Sequence, residues 1–182
     1  MLKSLLAASI LVAVTGCATA SQSSSNEQET QYQASEKAIN LAHEYLLVDT
    51  HIDVPYRIRD KWDDVSVATK DGDFDYPRAV EGGLDAPFMS IYIPASYEES
   101  GGSVQLAHEL IDGMEALVAR APDKFAMAYS TDDIRANKEK GLMSIALGME
   151  NGTPIEGDLD NLHMFYERGI RYITLAHSLS NH

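Results

Sequence analysis

The pair of side chains with the clearest chemical meaning in this sequence is His51 and Asp53, which are separated by one residue. They follow an apolar run, residues 46–48, that predicts a short buried strand. In extended backbone, side chains two positions apart point the same way, so the imidazole and the carboxylate would converge. Both groups bind divalent metals such as zinc, and the pair therefore indicates a metal site. The triplet alone leaves a second interpretation open, in which a surface histidine stands beside a turn aspartate.

Two more polar side chains follow predicted apolar strands. Glu150 comes between residues 142–147 and an Asn-Gly turn, whereas His177 follows the run 170–175. Taken alone, Glu150 fits a metal ligand, a general base or a solvated loop residue, and His177 fits a buried histidine with satisfied hydrogen bonds. Because barrel active sites are built at the carboxyl ends of several strands, we expect both side chains to lie near the His-x-Asp pair.

Apolar and amphipathic segments alternate along the chain, and this alternation predicts the fold class. The predicted strands are residues 46–48, 86–93, 125–129, 142–147 and 170–175, and the predicted helices are 36–43, 103–120, 131–141 and 159–168. Strands that are apolar throughout predict a parallel sheet with helices on its faces, an α/β fold. An open doubly wound sheet and a (β/α)8 barrel both begin this way. Polar residues at several strand ends favour the TIM barrel, and no GxGxxG loop follows the first strand.

Composition and charge exclude several classes of function. The 182 residues are 45% hydrophobic and 23% charged, as expected for one globular domain. The formal net charge is −14, from 28 acidic and 14 basic residues, and such a surface repels phosphate backbones, which excludes nucleic-acid binding as the main activity. The single cysteine excludes an intramolecular disulfide framework and a cysteine-cluster zinc site.

The first 17 residues are typical of a bacterial lipoprotein signal. Lys3 precedes an apolar stretch, residues 5–14, and small residues lead directly into Cys17. We expect cleavage after residue 16, lipidation of Cys17 and a flexible polar tether up to residue 35, so that the exported protein is anchored to a membrane on its periplasmic side. Ala18 favours the outer membrane in a Gram-negative cell. A plain signal peptide with an incidental cysteine is the alternative.

Four segments in order resemble the membrane dipeptidase (renal dipeptidase-like) family, peptidase family M19. They read LLVDTHIDVP, EGGLDAPFMSIYIP, ALGMENG and RYITLAHSLSNH, and the resemblance extends from Tyr45 to His182. It implies a metal-dependent-hydrolase-type (β/α)8 barrel that hydrolyses dipeptides, with two Zn²⁺ ions per site, and a homodimer is a further expectation. By resemblance, His51 and Asp53 bind the first zinc, Glu150 bridges both ions, and His177 contacts the substrate and helps to stabilise the developing oxyanion.

The family's pattern continues beyond the segments that match. Two further histidine ligands, an arginine and an acid/base aspartate lie on later strands in the family, whereas residues 36–182 supply about five of eight β/α units. We therefore expect these residues to be the amino-terminal part of a longer barrel, and this chain by itself to be inactive. A related amidohydrolase acting on lactones or cyclic amides, and a non-catalytic peptide-binding lipoprotein, remain alternatives. His43, His108 and His163 are predicted to be surface or packing residues, and His182 has no predicted role.

Overall fold

A computed structural model describes residues 34–181. The predicted signal peptide, Cys17 and all but the last two residues of the tether lie outside the described residues, as does His182. Within residues 34–181, no helix combines the length and the apolar character that crossing a membrane requires.

Helices and strands alternate along the described chain. In order they are α1 (Glu36–Glu44), β1 (Leu47–Ile52), α2 (Val54–Asp60), α3 (Tyr76–Glu81), β2 (Leu84–Tyr92), α4 (Tyr97–Ser100), α5 (Ser103–Arg120), β3 (Phe125–Met127), α6 (Thr131–Glu139), β4 (Met143–Glu150), a 3₁₀ helix (Thr153–Ile155), α7 (Leu159–Glu167) and β5 (Ile170–Thr174). Several helices begin at a polar residue whose side chain accepts a hydrogen bond from a first-turn N–H. These capping residues are Ser35, Asp75, Ser130 and Asp158.

The strands form a parallel sheet in which β1, β2, β4 and β5 are neighbours in that order. The third strand is only three residues long and pairs with residues 143–145 of β4, while β5 pairs with residues 147–150. Four strands therefore reach the edge where the candidate site lies. Tyr92, Glu150 and Thr174 stand in register at this carboxyl edge. The predicted α/β fold, part of a TIM barrel, is confirmed.

Hydrogen bonds across the sheet show that it is curled. Strands in a flat sheet are spaced by about 4.8 Å, so three steps from β1 to β5 would span roughly 14 Å. Yet the Tyr172 hydroxyl of β5 donates a hydrogen bond of 2.9 Å to the carbonyl oxygen of Thr50 on β1. The sheet therefore bends towards closure, as in a barrel wall. This curvature brings side chains from distant strands together at one point.

The hydrophobic core lies between the sheet and α5. Seven of the eight residues of β4 are buried. Helix α5 presents an apolar stripe to the sheet, formed by Leu106, Leu110, Ile111, Met114 and Leu117, each at most 2% exposed. Burying one such side chain contributes roughly 1.5–3 kcal/mol to folding. The stripe was expected from the spacing of the apolar residues, and α5 has the predicted bounds.

The first strand departs from the prediction. Residues 46–48 were expected to form a buried strand, but Leu47 is 42% exposed and Val48 is 38% exposed. Among the described residues, β1 pairs only with β2, so one of its edges is open. An apolar run indicates that burial of the segment is favourable. Whether the segment is buried depends on which neighbouring elements cover the strand. Two short helices that were not predicted from the sequence, α2 and α3, lie between β1 and β2.

Candidate metal centre

Three strands and the loops after them position the candidate residues. His51 lies within β1, and Asp53 directly after that strand is the N-cap residue of α2. Glu150 is the last residue of β4, and His177 lies beyond the end of β5. His51 and Glu150 thus belong to the strands themselves, although the sequence placed them just after. All four occupy the carboxyl edge of the sheet.

His51, Asp53 and Glu150 converge on one point. The Nε2 atom of His51 lies 3.0 Å from Oε2 of Glu150 and 3.4 Å from Oδ1 of Asp53. One ligand atom from each of the three residues lies within 4.8 Å of the others. The Glu150 side chain is 13% exposed and the Asp53 side chain 71%. One carboxylate is therefore held inside the site and the other stands at its mouth.

His177 lies on the other side of Glu150. Its Nε2 atom is 3.2 Å from Oε1 of Glu150, so the two carboxylate oxygens face different histidines. The edge of the His177 ring meets the Tyr92 ring, with ring centres 5.1 Å apart and an interplanar angle of 69°. His177 does not belong to the group of three converging ligand atoms. The structure thus places it beside that group.

Sequence reasoning missed Ser90. Its hydroxyl is buried and donates a hydrogen bond of 2.8 Å to Oε2 of Glu150. Ser90 lies in β2, next to β4, and its backbone pairs with Gly148. The available signal was a polar residue inside the apolar run 86–93, since buried polar groups require a hydrogen-bonding partner.

Sequence reasoning also missed Tyr172. The Tyr172 hydroxyl lies 3.0 Å from Nδ1 of His51, the ring nitrogen that faces away from the carboxylates. Burial raises the pKa of Tyr172 above its usual value, and the negative charges of Glu150, Asp53 and Asp49 raise it further. Burial and the charge of Glu150 likewise raise the pKa of Tyr92. Both phenols therefore remain protonated at neutral pH.

The charges and donor atoms fit a divalent cation. Within residues 34–181, the ion-pair partners of Asp53 and Glu150 are His51 and His177, not a lysine or an arginine. Two carboxylates and one imidazole are oxygen and nitrogen ligands of the kind that zinc and neighbouring transition metals bind. The residues present therefore fit a metal ion, and their assignment as ligands stays a prediction.

An open cavity adjoins this centre. It has a volume of about 290 Å³ and is lined by Asp53, Tyr56, Arg57, Tyr92, Glu150 and His177. A second cavity of about 460 Å³ is lined in part by His51 and Asp53. The first is close to the lower end of the size range of small-ligand sites, and two of the three candidate ligands, Asp53 and Glu150, line it together with His177.

Fold and site together define a parallel β/α protein with a candidate metal centre at the carboxyl ends of its strands. The family described as "Membrane dipeptidase (Peptidase family M19)" matches residues 35–182, and the chain belongs to this family. The chain is 29% identical over 150 residues to "Dipeptidase 3" of Rattus norvegicus, an alignment that covers 80% of this chain and 30% of that protein. The chain thus spans about 30% of the length of this curated relative.

Solved structures show the same fold. The structure of dipeptidase AC, a metallopeptidase of family M19, superposes with a TM-score of 0.65 at 24% identity, covering 75% of this chain and 44% of that one. A metallopeptidase from Rhodobacter sphaeroides was solved with a phosphinate mimic of the dipeptide L-Ala-D-Ala. It superposes with a TM-score of 0.64 at 23% identity, and the alignment covers 75% of this chain and 46% of that one. At these identities the likeness concerns the fold. The predicted family and fold class are confirmed.

Proposed function

We propose that this protein hydrolyses dipeptides in a metal-dependent reaction, with zinc as the expected metal and two ions per site. The observation that carries the proposal is the convergence of His51, Asp53 and Glu150 within 4.8 Å, at the strand ends of a chain that belongs to family M19. His51, Asp53 and Glu150 would hold the metal. Bound zinc would supply an activated water at neutral pH and a Lewis acid for the scissile carbonyl.

The protein's own side chains hold this site in place. The Ser90 hydroxyl orients Glu150 through its 2.8 Å hydrogen bond, leaving Oε1 directed towards His177. A ligand carboxylate that is itself hydrogen-bonded keeps its orientation, which metal affinity requires. Glu150 is suited to bridging because its two oxygens face different neighbours. His177 lines the cavity, where its imidazole would contact a substrate oxygen that gains negative charge.

The cavity supports a small substrate. Its volume of about 290 Å³ suits a ligand of about two amino-acid residues, and its walls include the rings of Tyr56 and Tyr92, which meet edge to face. The metallopeptidase from Rhodobacter sphaeroides was solved with a mimic of a dipeptide, and we propose the same substrate class here. A lactone or a cyclic amide is the competing class.

The location of the protein is part of the proposal. Cys17 would carry lipid, and residues 18–35 would form the spacer between the membrane and the domain. Replacing Cys17 with serine should release the protein from the membrane fraction, and mass spectrometry of the wild-type amino terminus should show a diacylated cysteine. A soluble wild-type protein with an unmodified terminus would contradict the anchor.

The test of activity uses the native protein, isolated from its membrane fraction with an antibody against residues 36–182. We expect it to contain zinc and to hydrolyse dipeptides, with activity lost on chelation and restored by Zn²⁺. Lactones and cyclic amides form the comparison panel, and turnover of these alone would favour the related amidohydrolase. Dipeptide binding without turnover, unaffected by chelators, would contradict the proposal and support a binding lipoprotein.

A further inference from the structure

We propose that Tyr172 is a positioning residue for His51. Its hydroxyl would hold the His51 ring in the tautomer and orientation that direct the Nε2 lone pair at the metal centre. This inference rests on the proposed function, because it concerns how the chain prepares a ligand for the metal.

Tyr172 reaches His51 by crossing the curled sheet. It lies on β5 in register with Gly148 of β4, which is in turn in register with Ser90 of β2. A Cβ atom built on Gly148 would overlap the Tyr172 ring, so the glycine leaves the space that the ring fills. The Phe88 ring packs against Tyr172 with ring centres 5.6 Å apart. These contacts therefore hold the Tyr172 ring in an orientation that directs its hydroxyl towards β1.

The hydrogen bonds of the hydroxyl determine the protonation of His51. A phenol carries one hydrogen, and the backbone oxygen of Thr50, 2.9 Å away, can only accept it. The same phenol oxygen lies 3.0 Å from Nδ1 of His51, so in this bond the imidazole must donate. Nδ1 therefore carries the proton. Nε2 is then the ring nitrogen that can bind a metal, which would take the place of any hydrogen that Nε2 shares with the Glu150 carboxylate.

The Nε2 atom lies where the candidate ligands meet. Nε2 of His51 lies 3.0 Å from Glu150 and 3.4 Å from Asp53. A metal binds only an unprotonated ring nitrogen, so a hydrogen held on Nδ1 by the phenol oxygen leaves Nε2 as the nitrogen for the metal. Removing the partner of a ligand histidine typically lowers metal affinity by about 10–100-fold. Tyr172 contributes in this way while its oxygen remains on the far side of the imidazole from the site.

The test compares Tyr172→Phe with the wild-type full chain. Phenylalanine keeps the ring between Gly148 and Phe88 and removes only the hydroxyl. The matched control is Tyr166→Phe, which removes a hydroxyl from the exposed face of α7. Calorimetric titration with Zn²⁺ and Co²⁺ should show affinity at least about 10-fold lower for Tyr172→Phe and unchanged for Tyr166→Phe. Equal affinities in all three proteins would overturn the inference.

A second measurement on metal-free protein separates this inference from the proposed function. Nitrogen-15 NMR of the His51 ring should show a hydrogen held on Nδ1 in the wild type, and weaker retention of that hydrogen in Tyr172→Phe. If the wild type binds neither metal, the proposed function fails, and the Nδ1 hydrogen alone decides the role of Tyr172. An Nδ1 hydrogen whose retention does not depend on the hydroxyl overturns the inference whatever the metal affinity.

Gly148→Ala gives an independent variant. Its Cβ would push the Tyr172 ring aside while the hydroxyl remains in the protein, so it should lower metal affinity in the same direction as Tyr172→Phe. Circular dichroism establishes that the variant is folded before titration. If a folded Gly148→Ala protein binds the metal with wild-type affinity, the position of the Tyr172 ring over Gly148 does not matter for binding, which would contradict the inference.

Discussion

Strands β1 and β4 each follow or contain an apolar run but have different surroundings, and both supply candidate metal ligands. Strand β4 is buried between its neighbours and α5, and it delivers Glu150 from a rigid core. Strand β1 is exposed along most of its length and delivers His51. A site can therefore combine one ligand held by the core with one whose strand has an open edge among the described residues. Contacts such as that of Tyr172 then become important for the second ligand.

The largest difference in stability should come from truncating a leucine to alanine in each of the two strands. Leu147 of β4 is fully buried, whereas Leu47 of β1 is 42% exposed. Leu147→Ala should lower the free energy of unfolding by about 2–5 kcal/mol, because it removes buried surface and leaves a cavity. Leu47→Ala should cost less than about 1 kcal/mol. Urea unfolding measures both values, and similar costs would mean that β1 is covered in solution.

Metal addition should reduce the difference in local stability between β1 and β4. A ligand that binds only the folded state stabilises it by about 2.7 kcal/mol at 100 times its Kd. Because His51 lies on β1 and Glu150 on β4, we expect amide hydrogen exchange to slow most in β1 when Zn²⁺ is added. Exchange that slows equally in all strands, or in none, would argue against a metal held between these two strands.

Asp75 provides a buried carboxylate to compare with the exposed Asp53. Burial raises the Asp75 pKa, but hydrogen bonds from Thr69 and Arg78 outweigh it and lower the pKa from 3.8 to about 2. This carboxylate therefore stabilises the fold above pH 3.8, and its contribution is lost as the pH falls towards 2. Asp75→Asn should cost about 2 kcal/mol at pH 7.

The pH dependence checks the sign of that effect. Between pH 5 and pH 2, the wild type should lose more unfolding free energy than Asp75→Asn, because the variant has no carboxylate to protonate. Denaturant unfolding at each pH measures the two curves. Parallel curves would show that Asp75 has the same pKa in the folded and unfolded states.

The smallest effect on stability should come from Asp53→Asn. The Asp53 side chain is 71% exposed and its described ion pair is with His51, so the free energy of unfolding should change by less than about 0.5 kcal/mol. Zinc affinity, measured by calorimetry, should nevertheless fall by at least about 10-fold. An exposed aspartate without a role in binding would give no change in either quantity. Asp132→Asn is a suitable control, because the Asp132 side chain is 94% exposed and its ion pair is with Arg135.

Much of the candidate site could be predicted from the sequence because its members follow apolar strands. His51, Asp53 and Glu150 have side chains of the right chemistry at the right ends of predicted strands, and the structure brings them together. Ser90 and Tyr172 were missed because each lies inside an apolar strand, where a polar group resembles an ordinary packing residue. Their partners are distant in sequence: 60 residues separate Ser90 from Glu150, and 121 separate His51 from Tyr172.

The sequence by itself determined the alternation of helices and strands, the apolar stripe of α5 and the family to which the chain belongs. Each of these depends on residue types at short spacing, which local backbone geometry converts directly into a face or a helix cap. Only the tertiary structure decided that β1 is exposed, that β3 does not reach the site, and that the curled sheet brings Tyr172 to His51. These features depend on which strands become neighbours and how the sheet bends. The spacing of residues along one strand determines neither its neighbours nor the curvature of the sheet.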